Sequence, residues 1–130
     1  MLNIRNLFRK PDKWIAVDVE LDGNRPSRII QLSYLIIEGR RVHGKNFYFK
    51  AKSINRYARR VHGLGVYQLK QLSGGDIFAY RADEIYRDFQ GCKLVIGHDV
   101  GGDLRYIRNE FARVGVHFPD YPIFCTLRHY

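Results

Sequence analysis

Asp18 and Glu20 are the first residues in this chain that could do chemistry: two carboxylates, two positions apart, inside the apolar run KWIAVDVELDG, residues 13–23. In an extended segment that spacing puts both on one side. Like charges so close repel, and burying them is costly unless something positive lies between them. A divalent cation supplies that charge, and hard carboxylate oxygens suit Mg²⁺ or Mn²⁺ better than zinc. The competing reading is a solvent-exposed strand end with two hydrated acids. For an isolated D-x-E pair that bland reading is the commoner one. Asp103 shifts the balance. It follows a second compact apolar run, KLVIGH, and opens the strongest helical stretch, GGDLRYIRNEFARVG. If the two apolar runs are neighbours in a sheet, their C-terminal ends bring Asp103 toward Asp18 and Glu20. Asp is also among the best N-cap residues, a role compatible with the first.

The elements that must position these acids follow from periodicity. In residues 14–21, Ile15, Val17, Val19 and Leu21 form one apolar face, expected to be buried; Trp14, Ala16, Asp18 and Glu20 form the other. GNRPSR is a loop. IIQLSYLIIEG and RRVHGKNFYFKAK are β-rich, and Glu38–Arg41 joins them as a hairpin. INRYARRVHGL reads as helical up to Gly63, SGGD as a break, and ADEIYRDFQG as a short helix ending at Gly91. Leu104, Ile107, Phe111 and Val114 make one apolar stripe of the strongest helix, which Asp103 opens and Gly115 closes. YPIFCTL is a last strand. Antiparallel strands followed by β-α-β predict an α/β domain with a mixed sheet.

Composition sets the remaining bounds. The 130 residues suit one domain with a real core, residues 13–130, preceded by a basic N-terminal arm, residues 1–12. Twenty-two Lys and Arg against 13 Asp and Glu give a net charge of +9, which favours polyanions, nucleic acid first among them. Cys92 and Cys125 have no ligand spacing and read as small buried hydrophobes in a reducing compartment. No apolar run is long enough to span a membrane and no secretory signal is visible, so a cytoplasmic protein is expected.

The successive landmarks VDVELDG, SRIIQLSYLIIEGRRV, VHGL, LVIGHDVGGDLRYI and FCTLR resemble those of the DnaQ-like (DEDD) 3′→5′ exonucleases, from about Trp14 to the C-terminus. The resemblance implies a ribonuclease-H-like fold and a two-metal phosphodiesterase acting on single-stranded DNA or RNA. Asp18 would bridge two Mg²⁺ or Mn²⁺ ions, Glu20 would hold the ion carrying the attacking water, and Asp103 would support the second. His62, in VHGL, would lie near the substrate groove; a helix-ending His bonded to a nearby carbonyl is the other reading. Arg56, Arg59 and Arg60 form a basic patch, read either as phosphate contacts or as a solvated helix face. Trp14 or tyrosines would offer stacking faces.

The family's third motif supplies a general base, His or Tyr, and a last metal-binding Asp. No such motif follows Asp103 here. The carboxylates that remain are Glu110, expected on a solvent-facing helix side, and Asp120, in a turn. His117 and Asp120 have the wrong spacing, and His98 reads as a structural imidazole. Asp99 stands where Asn is usual and Gly102 where Phe is usual, which is expected to loosen the placement of Asp103. Without the family's last helices one sheet face should be open, for a second copy or another protein to cover. A fragment of a longer enzyme, a short protein that pairs, and a degenerate exonuclease that only binds all fit. The chain alone is expected to be weak or inactive. The alternative function is a non-catalytic nucleic-acid-binding or polymerase-associated module on the same fold.

Overall fold

A computed structural model describes residues 10–128. Most of the N-terminal arm, and His129, lie outside the described residues. The chain forms β1 (Lys13–Leu21), β2 (Ile29–Glu38), β3 (Arg41–Tyr48), α1 (Arg56–His62), α2 (Val66–Ser73), α3 (Phe78–Phe89), β4 (Cys92–Gly97), α4 (Val100–Arg113), β5 (Ile123–Cys125) and a final 3₁₀ turn. The strands make one mixed sheet in the order β3-β2-β1-β4-β5. β1, β2 and β3 are antiparallel neighbours, whereas β4 and β5 run parallel to β1. This is the predicted mixed sheet, and the hairpin closes between Glu38 and Arg41 as expected.

Several boundaries differ from the sequence reading. α3 begins at Phe78, four residues before the expected Ala82, because Phe78 buries its ring in the core and fixes the first turn there. α2 has no counterpart in the sequence reading. The last strand shrinks to Ile123–Cys125 before the chain tightens into the 3₁₀ turn. α4 begins at Val100 with Asp99 at its N-cap position, so Asp103 stands one turn inside the helix rather than capping it.

Both helices α3 and α4 cover one face of the sheet. Ile15 and Val17 of β1, Leu32 and Tyr34 of β2, Ile85 and Phe89 of α3, and Leu104, Ile107 and Phe111 of α4 share one buried cluster. Val114, expected on that stripe, lies past the end of α4 and is exposed. Phe111 stacks on Phe118 with centroids 4.7 Å apart, which ties the chain after α4 back to the core. Among the described residues the other face is apolar and partly bare. The register aligns Trp14, Ile37 and Val42 across it, and Trp14, Leu35, Val42 and Phe124 are exposed. Among the described residues no helix is long and apolar enough to cross a membrane, and both cysteines are free and buried.

Candidate active site

β1 pairs with β4 only as far as Ala16 opposite Ile96. β1 then continues alone on that side through Asp18 and Glu20, while the chain after β4 turns into α4. The crevice left there is the end of a parallel pair, where α/β sheets commonly bind ligands. Two close approaches fix it. A Cβ on Gly97 would stand 3.0 Å from the Val17 carbonyl oxygen, so the turn out of β4 sits against β1. On the β2 side the register shifts between Glu20 and Leu21, a bulge that re-aims the residues beside it.

The three predicted acids come from two elements, Asp18 and Glu20 from β1 and Asp103 from the first turn of α4. Asp18 is exposed, Glu20 half-buried and Asp103 buried. Burial raises the Glu20 carboxyl above the usual range, the Asp18 charge adds to this, and His62 opposes it. Asp103 is pushed up to about 7, first by burial and then by the charges of Asp18, Asp99 and Glu20. The acids therefore feel one another across the crevice. Among the described residues no three His, Cys, Asp or Glu side chains already stand close enough to hold a metal ion. The donor set, all hard carboxylate oxygen, fits Mg²⁺ or Mn²⁺ in kind, and the mutual repulsion is what a bound cation would relieve.

Asp99 is the acid that sequence reasoning passed over. It was visible as a departure from the family pattern, not as a site residue. A Cβ on Gly102 would already lie 2.7 Å from an Asp99 carboxylate oxygen, so Gly102 makes room for that carboxylate. The two departures compensate each other, and Asp103 is buried at 9% exposure rather than loosened.

Glu110 corrects the sequence reading outright. It is buried, 2% exposed, and its Oε1 takes a 2.6 Å hydrogen bond from Arg28 Nε and a second from Arg113. The pair joins α4, which carries Asp103, to the start of β2. His98, read as a structural imidazole, stands exposed just past the end of β4 at Gly97, and its Nδ1 lies 3.1 Å from Thr126 Oγ1. With Asp18, Ser33 and Asn46 it lines a groove of about 500 Å³ on the open sheet face.

α1 leans on the same crevice. Its cap Asn55 donates its backbone N–H to the Asp22 carbonyl at 2.8 Å, and the Asn55 side chain accepts from the Tyr57 N–H. Gly23, at φ +74°, lies so near α1 that a Cβ would be 2.8 Å from that of Ala58. His62 Nε2 donates to the Leu21 carbonyl at 3.0 Å, while Nδ1 accepts from the Leu64 N–H. That is the carbonyl-bonded reading of His62, and it also sets the ring near Glu20. Arg56, Arg59 and Arg60 are exposed on α1, a helix that buries none of its residues.

No family model matches the sequence. Over 120 residues, 88% of this chain, the sequence is 23% identical to the 3′-5′ exonuclease DinG of Bacillus subtilis (strain 168). The fold superposes on exonuclease I in complex with the inhibitor BCBP with a TM-score of 0.78, at 18% identity over 93% of this chain. It superposes on E. coli exonuclease I in complex with a dT13 oligonucleotide with a TM-score of 0.76, at 19% identity over 89% of this chain. The chain spans 12% of the DinG sequence and 30% and 28% of the two exonuclease I chains. Its architecture is the ribonuclease-H-like fold that these exonuclease I structures share.

Proposed function

We propose that this chain is the nuclease core of a metal-dependent 3′→5′ exonuclease, with Asp18, Glu20 and Asp103 as its cation-holding carboxylates. The observation that supports the reading is the Asp103 carboxyl, one turn into α4, pushed up to about 7 first by burial and then by the charges of Asp18, Asp99 and Glu20. Mg²⁺ or Mn²⁺ held there would supply an ionised water near neutral pH and a clamp on the oxygens of an in-line phosphoryl displacement. The chain's own residues do the rest. The register shift after Glu20, where β2 carries the extra residue Ile30, and the His62 bond to the Leu21 carbonyl flank Glu20. The Arg28–Glu110–Arg113 cluster fixes the helix that carries Asp103. Arg56, Arg59 and Arg60 present positive charge to phosphates beside the crevice, and His62 borders the same groove.

A general base and a fourth family carboxylate in the third-motif position are not found among the described residues. We read the open sheet face beside Asp18 as the seat of the element that brings them, whether from this polypeptide, a second copy or another protein. The alternative of a binding module that does not cleave rests on that same observation. The two cysteines and the polyanion-seeking charge fit a cytoplasmic enzyme of nucleic-acid maintenance.

The experiment gives 5′-labelled single-stranded DNA and Mn²⁺ to the chain, with Asp18→Ala as control. Slow stepwise shortening from the 3′ end, lost in the variant, is the expected result. Intact substrate with a folded protein would favour the binding module.

A further inference from the structure

Residues 39–75 contain nine Lys and Arg and no Asp or Glu, so the whole excess of nine positive charges lies in this one segment. The other thirteen basic residues are matched by thirteen acids. The fold lays the second half of the segment along the end of the sheet that carries the carboxylates. β3 runs in the same direction as β1, since both are antiparallel to β2. The chain leaving Tyr48 therefore emerges at the end where Asp18 and Glu20 lie.

There, Lys50, Lys52 and Ser53 form one wall of a cleft of about 570 Å³, with Asn24 and Arg28 on the other. Asp22, the acid in its lining, is buried, and its Oδ1 accepts the backbone N–H groups of Asn24 and Arg28 at 3.0 Å each. The chain then enters α1, which buries nothing and exposes Tyr57 at 76% and Val61 at 83%. These two, four residues apart, lie on one side of the helix. Tyr67, on α2, is exposed at 71%.

Lys45, on β3, is neutralised by Glu84 and Asp88. Among the described residues, Lys50, Lys52, Arg56, Arg59 and Arg60 enter no such ion pair. Unpaired cations interleaved with bare aromatic and aliphatic surface suit a polymer that carries both phosphates and π-faces.

We propose that the cleft of Lys50 and Lys52 and the outer surface of α1 form one continuous track for the uncut part of a single-stranded nucleic acid, with Tyr57 stacking on a base. The track rests on the nuclease reading for which part of the strand it holds, but not for binding itself.

The test measures binding without cleavage: anisotropy of labelled dT12 and rU12 in EDTA, against salt, on the 130-residue chain. Lys50→Gln/Lys52→Gln and Arg56→Gln/Arg59→Gln/Arg60→Gln should each flatten the slope of log affinity against log salt, by about 0.7 for every phosphate no longer neutralised. Tyr57→Ala should weaken binding about tenfold at fixed salt. Arg87→Gln/Lys93→Gln, at the end of α3 and the start of β4, should change neither. Equal losses for both polymers mean that the track reads what they share; losses confined to one assign it to that polymer. A parent chain that does not bind, track variants that bind like the parent, or a remote pair that loses as much would overturn the proposal. Tight binding without metal-dependent cleavage would leave the track standing and sink the nuclease reading alone.

Discussion

Asp103→Asn is expected to stabilise the fold by about 3 kcal/mol at pH 8, with the gain fading to nothing below about pH 4. The ordinary carboxyl value is 3.8, and in the fold it is pushed up to about 7. Between those values the folded chain keeps a proton that the unfolded chain has released. Parent stability therefore falls as pH rises through that window, and the full penalty is in place above about pH 7. The shift at face value corresponds to about 4 kcal/mol; the exposed Asp18 and Asp99 charges are partly screened, which brings the expectation down. Asn keeps the shape and removes the titration. Urea unfolding at several pH values, followed by the fluorescence of the single Trp14, measures the difference between the two proteins. A variant no more stable than the parent at pH 8 would mean that burial and the neighbouring charges do not raise the Asp103 carboxyl. On the proposed nuclease reading the same substitution should also lower cleavage, the usual sign of a site that trades stability for function.

Arg28→Met/Arg113→Met should cost about 3–5 kcal/mol, because it leaves the Glu110 carboxylate buried without a partner. The Glu110 side chain is 2% exposed, whereas those of Arg28 and Arg113 are 51% and 31% exposed. The burden of burial thus falls on the acid, and removing its partners does more harm than removing it. Adding Glu110→Leu to the double variant should recover most of the loss, since an apolar replacement of a buried ionic cluster is often neutral or better. Chemical denaturation of the three proteins tests this. A double variant within about 1 kcal/mol of the parent would show that Glu110 reaches solvent. The cluster also bears on function: Arg28 immediately precedes β2, at the end of the loop that leaves β1, and Glu110 lies on the helix holding Asp103, so loosening it should raise the mobility of Asp103 against Asp18.

How much of this was legible in the sequence depends on how local each signal is. Alternation in β1 placed Asp18 and Glu20 on one side, and Gly63 at φ +73° ends α1 where the sequence put it. The mixed sheet followed from the order of runs. Glu110 misleads because its charge suggests solvent, although its spacing from Asp103 and Ile107, at i+7 and i+3, marks the inward side of α4. Its partner Arg28 is 82 residues away, beyond any local pattern. The apolar run carries no stop signal before His98, yet β4 ends at Gly97, one residue short of the sequence reading. Asp99 looks like a departure at a single position, while its meaning lies in the pair it forms with Gly102. On the sheet face opposite the buried cluster, the register across Trp14, Ile37 and Val42 gives the described surface its apolar character.

The central claim is that Asp18, Glu20 and Asp103 form a platform for divalent cations, and a calorimetric Mn²⁺ titration at pH 8, with thermal unfolding at each end of it, tests that most directly. The account predicts saturable binding that raises the unfolding temperature and that disappears in Asp18→Asn. No binding, or binding of equal strength in Asp18→Asn, would contradict it.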